Sequence, residues 1–560
     1  MRSKIPAAVA SATVAALLLA ACGGGDDGAA DGGGGGGGAT AGAPLTIAKP
    51  DGAITTESNN PWVADASAMR LGYINAILEP LGIVNLINPS DPIQPWLASE
   101  LTWNDDYTQL TATARDGVTW SDGEDFTADD IAYTYQLILD KPELNTAALP
   151  LESVTEDGDQ VTLTFTDSVF VKQDKVLHRA IVPKHYVETL SDPSTDPMLD
   201  LVGTGPYALS QFTTQSVELQ ARDDYWGGDL AVPTLYYVSY NDNTALATAL
   251  ANGDADWAQA WLPNRQEAFL DHDPDHNIFW APSGLAFDGL YVNTTEKPFN
   301  DPAFRRAVNM VIDRHKYQQI AREGGVPEIT SVTGLPTPAG DPFISEEFKG
   351  VEFSVDVAGA TKVLEDAGYT GVGTALVDPD GEPVTFDLSV PQGWSDYVTG
   401  ISLIADDVKA LGVTATLTTP DADTWWANKS NGEFDAILHW TDTGMTPYDI
   451  YSNTMDARWL KPIGEAADYN FGRFDSPEAT AALDEFANAT SDDERASALA
   501  TAQSIFVNEV PVMPIASRPF ITQFNTRNYV GWPSDDDPYI NADPTQPTSV
   551  LILTKLKPAS

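Results

Sequence analysis

Apolar positions along this chain follow two periods. At helical spacing, Phe304, Val308, Val311 and Ile312 share one face behind the opening Asn300-Asp301-Pro302, where proline suits the first helical position. Thr127 to Asp130 reads as a capping-box variant ahead of Ile131, Tyr135 and Ile138. Asp356 opens another helix that ends near Ala367-Gly368, and Ile401, Ile404, Val408 and Leu411 line one that stops at Gly412. Ser476-Pro477 and Ser491 start two more. Strands are predicted where the period shortens or the run is β-rich: VTLTF 161–165, VELQA 217–221, TLYYVSY 234–240, LYVN 290–293, VTFDL 384–388, VTATL 413–417, AILHW 436–440 and VLILTKL 550–556. Helices and strands alternate most clearly after residue 290. The pattern predicts an α/β body of more than one lobe, larger than a single ordinary core.

The N-terminal pattern is different. Arg2 and Lys4 precede an apolar or small run from Ile5 to Ala21, the plan of a secretory signal peptide (1–21). It ends Leu19-Ala20-Ala21-Cys22, which resembles the lipobox of bacterial lipoproteins and implies lipid on the Cys22 sulfur. Cys22 is the only cysteine of the chain, so it closes no intramolecular disulfide. Residues 22–44, rich in glycine, read as a lipid-anchored flexible linker, too poor in apolar side chains to order.

Composition narrows the function. With 30 Lys and Arg against 81 Asp and Glu, the chain carries a formal charge of −51. Such a surface disfavours nucleic acid and gives no polybasic hold on a membrane, so the lipid alone would hold it there. Catalytic patterns are missing: there is no G-x-S-x-G, no H-E-x-x-H and no G-x-x-x-x-G-K-[ST]. His272 and His276 are spaced for a metal, but Pro274 breaks the helix that would align them. No cofactor, metal site or catalytic set is expected. A secreted polysaccharide hydrolase remains the alternative from another class.

Several blocks, in order, resemble the extracellular solute-binding proteins of family 5, which serve ABC importers of oligopeptides, dipeptides, nickel and oligosaccharides. The blocks are PWLASELTWNDDYTQLTATARDGVTWSDGEDFTADDIAYTYQLI (95–138), VGTGPY (202–207), ARDDYWGG (221–228), ALATALANGDADWA (245–258), LYVNTTEKPFNDPAFRRAVNMVIDR (290–314), DVAGATKVLEDAGY (356–369) and EVPVMPI (509–515). The resemblance implies a two-lobed periplasmic-binding-protein-like α/β fold of type II with an extra subdomain. Lobe I would comprise 45–297, with the subdomain near 90–200, lobe II 298–510, and 511–560 would return to lobe I. It also implies a monomer outside the cell, anchored to the outer face of the membrane through Cys22, that passes a solute to permease subunits and is not an enzyme.

The ligand reading rests on a departure from the family pattern. In peptide-binding members an aspartate that follows a tryptophan pairs with the peptide ammonium. In LHWTDTGMTPYDIYSN (438–453), Asp442 falls two residues after Trp440 rather than three. TGMTPYDIY, with Tyr448, and VPQGWSDY (390–397), with Trp394, look more like the oligosaccharide-binding branch. Aromatic faces suit sugar rings, and Asp, Asn and backbone groups suit their hydroxyls. Asn60, Trp62 and Trp261 in the first lobe, and Trp394, Trp440, Asp442, Tyr448 and Trp459 in the second, are therefore the candidate ligand-binding residues. The expected solute is a short oligosaccharide, with an oligopeptide or dipeptide as the alternative.

Overall fold

The computed structural model describes residues 42–559; the expected signal peptide, Cys22 and nearly all of the expected linker lie outside the described residues. A seven-stranded sheet forms the first lobe. Its order is Asn277–Trp280, Thr522–Asn525, Trp257–Ala258, Leu45–Lys49, Thr234–Ser239, Ser216–Ala221 and Tyr207–Phe212. Leu45–Lys49 runs parallel to both its neighbours, and the other pairs are antiparallel. A four-stranded antiparallel sheet, Ala98–Trp103, Gln109–Ala114, Gln160–Phe165 and Leu151–Asp157, packs with helix Ala128–Asp140 and shares its core with this lobe. At the helix start the Asp130 carboxylate accepts from the Thr127 N–H at 3.0 Å, closing the capping box.

The second lobe is built on five strands: Thr414–Thr418, Thr385–Ser389, Ala436–Trp440, Ser283–Val292 and Val512–Pro519. Ser283–Val292 is buried at every position, as a strand covered on both faces must be. Alternation sends Leu290 and Val292 into one core with Phe304 and Val308, and Tyr291 into another with Tyr451 and Phe506. The predicted helices form as Pro302–Val311, Val357–Asp366, Ser395–Asp407, Pro477–Asn488 and Asp492–Glu509. Asp301, Asp356, Ser476 and Ser491 each cap a helix through the side chain.

Three expectations need correction. The chain enters the second lobe at Ser283, not at 298, because Ser283–Val292 pairs with Ala436–Trp440. It leaves after Pro519, not at 511: Val512–Pro519 lies beside Ser283–Val292, and Thr522–Asn525 is the strand that rejoins the first sheet. VLILTKL is helix Ser549–Lys555 rather than a strand, since a short run apolar on every side fits either element when buried. In VGTGPY the glycines answer to close approach: a Cβ on Gly203 would sit 1.8 Å from the Ile77 carbonyl oxygen, and one on Gly205 2.4 Å from that of Ala76.

Candidate functional site

Strand Ala436–Trp440 ends at a cleft between the lobes. Its continuation is held from both sides: the Thr441 N–H donates to the Phe287 carbonyl at 3.0 Å, and the Asp442 N–H donates to Asn453 Oδ1 at 2.7 Å. A cavity of about 560 Å³ opens here, with Trp62, Lys175 and Arg179 on the first-lobe side and Trp440, Asp442 and Thr443 on the other. A second cavity of about 260 Å³ adjoins it through the shared Gln259, Trp440, Arg518 and Pro519, and is lined by Trp261, Trp394 and Asp396. Five of the eight candidates, Trp62, Trp261, Trp394, Trp440 and Asp442, therefore line one continuous cleft.

The other three lie behind it. Asn60 is fully buried; its Nδ2 donates to the carbonyls of Pro193 and Asp196 at 2.7 and 2.8 Å, and its Oδ1 accepts from the Trp62 N–H at 2.9 Å. It sets the backbone of Trp62, with both amide hydrogens spent on carbonyls and no surface open to a solute. The Tyr448 hydroxyl accepts from Arg458 at 2.9 Å. Trp459 donates its indole N–H to Ser452 Oγ at 3.1 Å and packs edge-on against Tyr469 at 5.0 Å. Tyr469 in turn donates its hydroxyl to the cleft-lining Asp442 at Oδ2, 2.6 Å away, so Trp459 acts on the cleft only through Tyr469.

The aromatic candidates are not equally free. Trp440 has His439 stacked on it at 4.3 Å and the Arg518 guanidinium over its ring at 4.1 Å. Trp394 belongs to a cluster with Trp425, Trp426 and Trp440, every centroid within 6.1 Å. The Arg322 guanidinium lies 5.3 Å from the Trp261 ring. Trp62 differs: among the described residues no ring or cation packs against its indole plane, and no protein group accepts its indole N–H.

Charge in the cleft is organised by one fully buried carboxylate. Asp288 accepts from the Tyr397 hydroxyl at 2.9 Å and from Arg518 at 3.1 Å, and is ion-paired with Arg322, which also pairs with Asp396. Burial works against the Arg322 charge, but Asp288 and Asp396 outweigh it and raise its pKa. On the first-lobe wall, Lys175 pairs with Asp174 at 3.0 Å and donates to the Thr443 carbonyl at 3.3 Å. Burial pushes the nearby Asp449 carboxyl up to about 6 against the opposing charge of Lys175. His178 Nε2 accepts from the Val84 N–H at 2.9 Å, which puts the ring proton on Nδ1, and burial lowers its pKa to about 4. Next to the cleft, His439 Nδ1–H donates to the Trp440 carbonyl at 2.7 Å and Nε2 accepts from Lys429 at 3.4 Å. Burial lowers Lys429 to about 8.

Sequence reasoning missed the wall built by QDKVLHRA 173–180. No motif marks it, and only its cluster of ionisable side chains in a chain poor in bases set it apart. Among the described residues no group of three His, Cys, Asp or Glu is placed to hold a metal ion, and no helix is long and apolar enough to cross a membrane.

Comparison with known proteins matches residues 92–459 to the bacterial extracellular solute-binding proteins, family 5 Middle. Protein XP55 of Streptomyces lividans is 31% identical over 356 residues, which span 62% of each chain. An oligopeptide ABC transporter periplasmic oligopeptide-binding protein from Thermotoga maritima superposes with a TM-score of 0.81 at 23% identity, covering 92% of this chain and 99% of that one. The mannohexaose-bound structure of the Thermotoga protein gives 0.71 at 23% identity, covering 92% and 98%. The fold is thus the two-lobed α/β architecture of the periplasmic binding proteins.

Proposed function

Because this chain belongs to the bacterial extracellular solute-binding proteins of family 5, we propose that it captures a solute between its lobes and hands it to the permease subunits of an ABC importer. Family 5 members are non-enzymatic transport components, so the hydrolase alternative falls away. On this reading the protein works outside the cytoplasm as a monomer, tethered by lipid on Cys22.

The solute we propose is a short oligosaccharide. The observation that carries this reading is Trp62, an indole on the cleft wall that packs on the first-lobe core but, among the described residues, has no ring or cation against it and no acceptor for its N–H. Such a group suits the C–H face of a sugar ring. Asp442, already holding the Tyr469 hydroxyl, has lone pairs left for further hydroxyls. The Thermotoga protein solved with mannohexaose lends the same reading support. A second reading, an oligopeptide, is favoured by Asp174: its side chain is 2% exposed and its Oδ1 has no hydrogen-bond partner, an acceptor suited to an ammonium.

Native mass spectrometry of the protein as purified, followed by calorimetry with cello-, xylo- and manno-oligosaccharides and di- to pentapeptides, tests both. Sugar binding that weakens in Trp62→Ala supports the first reading. Binding confined to peptides and abolished in Asp442→Asn or Asp174→Asn would replace it with the second.

A further inference from the structure

The cleft contains a cation that the protein leaves free. Among the described arginines, Arg179 alone makes neither a hydrogen bond nor an ion pair. Arg222, Arg265, Arg305, Arg322, Arg458 and Arg518 each reach a carboxylate. Arg115, Arg314 and Arg473 are spent on backbone carbonyls. Arg179 lines the large cavity, its Nε is buried without a partner, and burial lowers its pKa with only Tyr135 nearby to oppose this.

This vacancy is costly and improbable on chance. A half-buried guanidinium without an anion forfeits hydration and gains nothing back. The chain has 81 Asp and Glu for 30 Lys and Arg, so a carboxylate partner is the easiest thing for this protein to supply. A carboxylate on the same wall, Asp174, is turned to Lys175 instead, at 3.0 Å. Beside Arg179, His178 adds a second donor. With Nε2 spent on Val84, its Nδ1 carries a proton at neutral pH, and among the described residues no protein group accepts it. Consecutive side chains thus present a planar cation and a neutral N–H donor to the same cavity, both without an acceptor.

We propose that the solute carries a carboxylate and that Arg179, assisted by His178, is its seat. This rests on the solute-capture reading above and specifies its ligand: an acidic sugar, with a uronate ring, or a peptide whose C-terminal carboxylate takes this place. A guanidinium matches a carboxylate through two parallel N–H···O bonds, so the fork is lost when the acid is replaced by an alcohol or an amide.

The test pairs each acid with its neutral counterpart. The purified protein is titrated calorimetrically with trigalacturonate and galactotriose, and with trialanine and trialanine amide. At least one acid should bind ten-fold or more tightly than its counterpart. Arg179→Gln should cut that preference to two-fold or less, and Arg179→Lys should keep part of it. Since Arg179 bonds to no protein group among the described residues, both variants should melt no lower than the wild type, which separates lost recognition from lost folding. Trigalacturonate alone binding supports an acidic sugar, and trialanine alone keeps the carboxylate seat while removing the oligosaccharide. Galactotriose binding as tightly as trigalacturonate would overturn the seat and leave the oligosaccharide reading standing. An acid preference that survives in Arg179→Gln, or no binding by any of the four, would overturn the seat as well.

Discussion

Replacing Asp288 with Asn should be among the most damaging single changes in the second lobe. Asp288 is fully buried on Ser283–Val292, the strand that brings the chain into that lobe, and Arg518 approaches it from Val512–Pro519, the strand that leads back out. Asparagine keeps the shape and one acceptor, so the Tyr397 hydroxyl retains a partner. What disappears is the charge facing Arg322 and Arg518. Arg322 is 5% exposed and keeps Asp396; Arg518 is 37% exposed and can turn to water. Breaking a buried pair from one side costs about 3–5 kcal/mol, and the remaining Asp396 places this case near the lower end, about 3 kcal/mol. For a unit of this size, each kcal/mol lowers the melting temperature by roughly 2–4 °C, so the variant should melt about 6–12 °C lower. Calorimetric melting with urea unfolding measures both. A single variant within about 1 kcal/mol of wild type would refute the claim that this carboxylate holds the two arginines.

Trp62→Ala should weaken solute binding by about 1–3 kcal/mol, by analogy with aromatic stacking on bases, and Trp440→Ala by less than Trp62→Ala, since His439 and Arg518 already occupy its ring; isothermal titration decides the order. Asp449, with its pKa pushed up to about 6, holds its proton more tightly folded than unfolded. Its stabilising contribution is therefore full below the unfolded pKa of about 4 and is lost as pH rises through about 6; melting curves of Asp449→Asn should lack that falling limb. Cys22→Ser should release the protein from membranes or leave it as precursor, with solute affinity of the purified body unchanged, as fractionation and calorimetry would show.

Local rules carried much of the architecture. Asp301-Pro302, Asp356 and Ser476 cap helices because the orphan N–H groups of a first turn need a nearby acceptor, and that need is written within four residues. Strand AILHW is likewise legible, because neighbouring residues alternate between two cores. The same reasoning could not separate strand from helix at 549–555, where the first five residues are all buried.

The sequence by itself determined many of the elements, the acidic surface and a set of tryptophans of which several line the cleft. Only the tertiary structure decided that Val512–Pro519 belongs beside Ser283–Val292, that Asn60 supports Trp62 rather than a solute, and that Arg179 has no partner among the described residues. The physical reason is range. A cap or an alternating strand is settled by residues a few positions apart, whereas the pairing of a charge depends on which distant carboxylate the fold brings within reach. Asp288 meets Arg518 across 230 positions of chain, and among the described residues Arg179 meets no carboxylate.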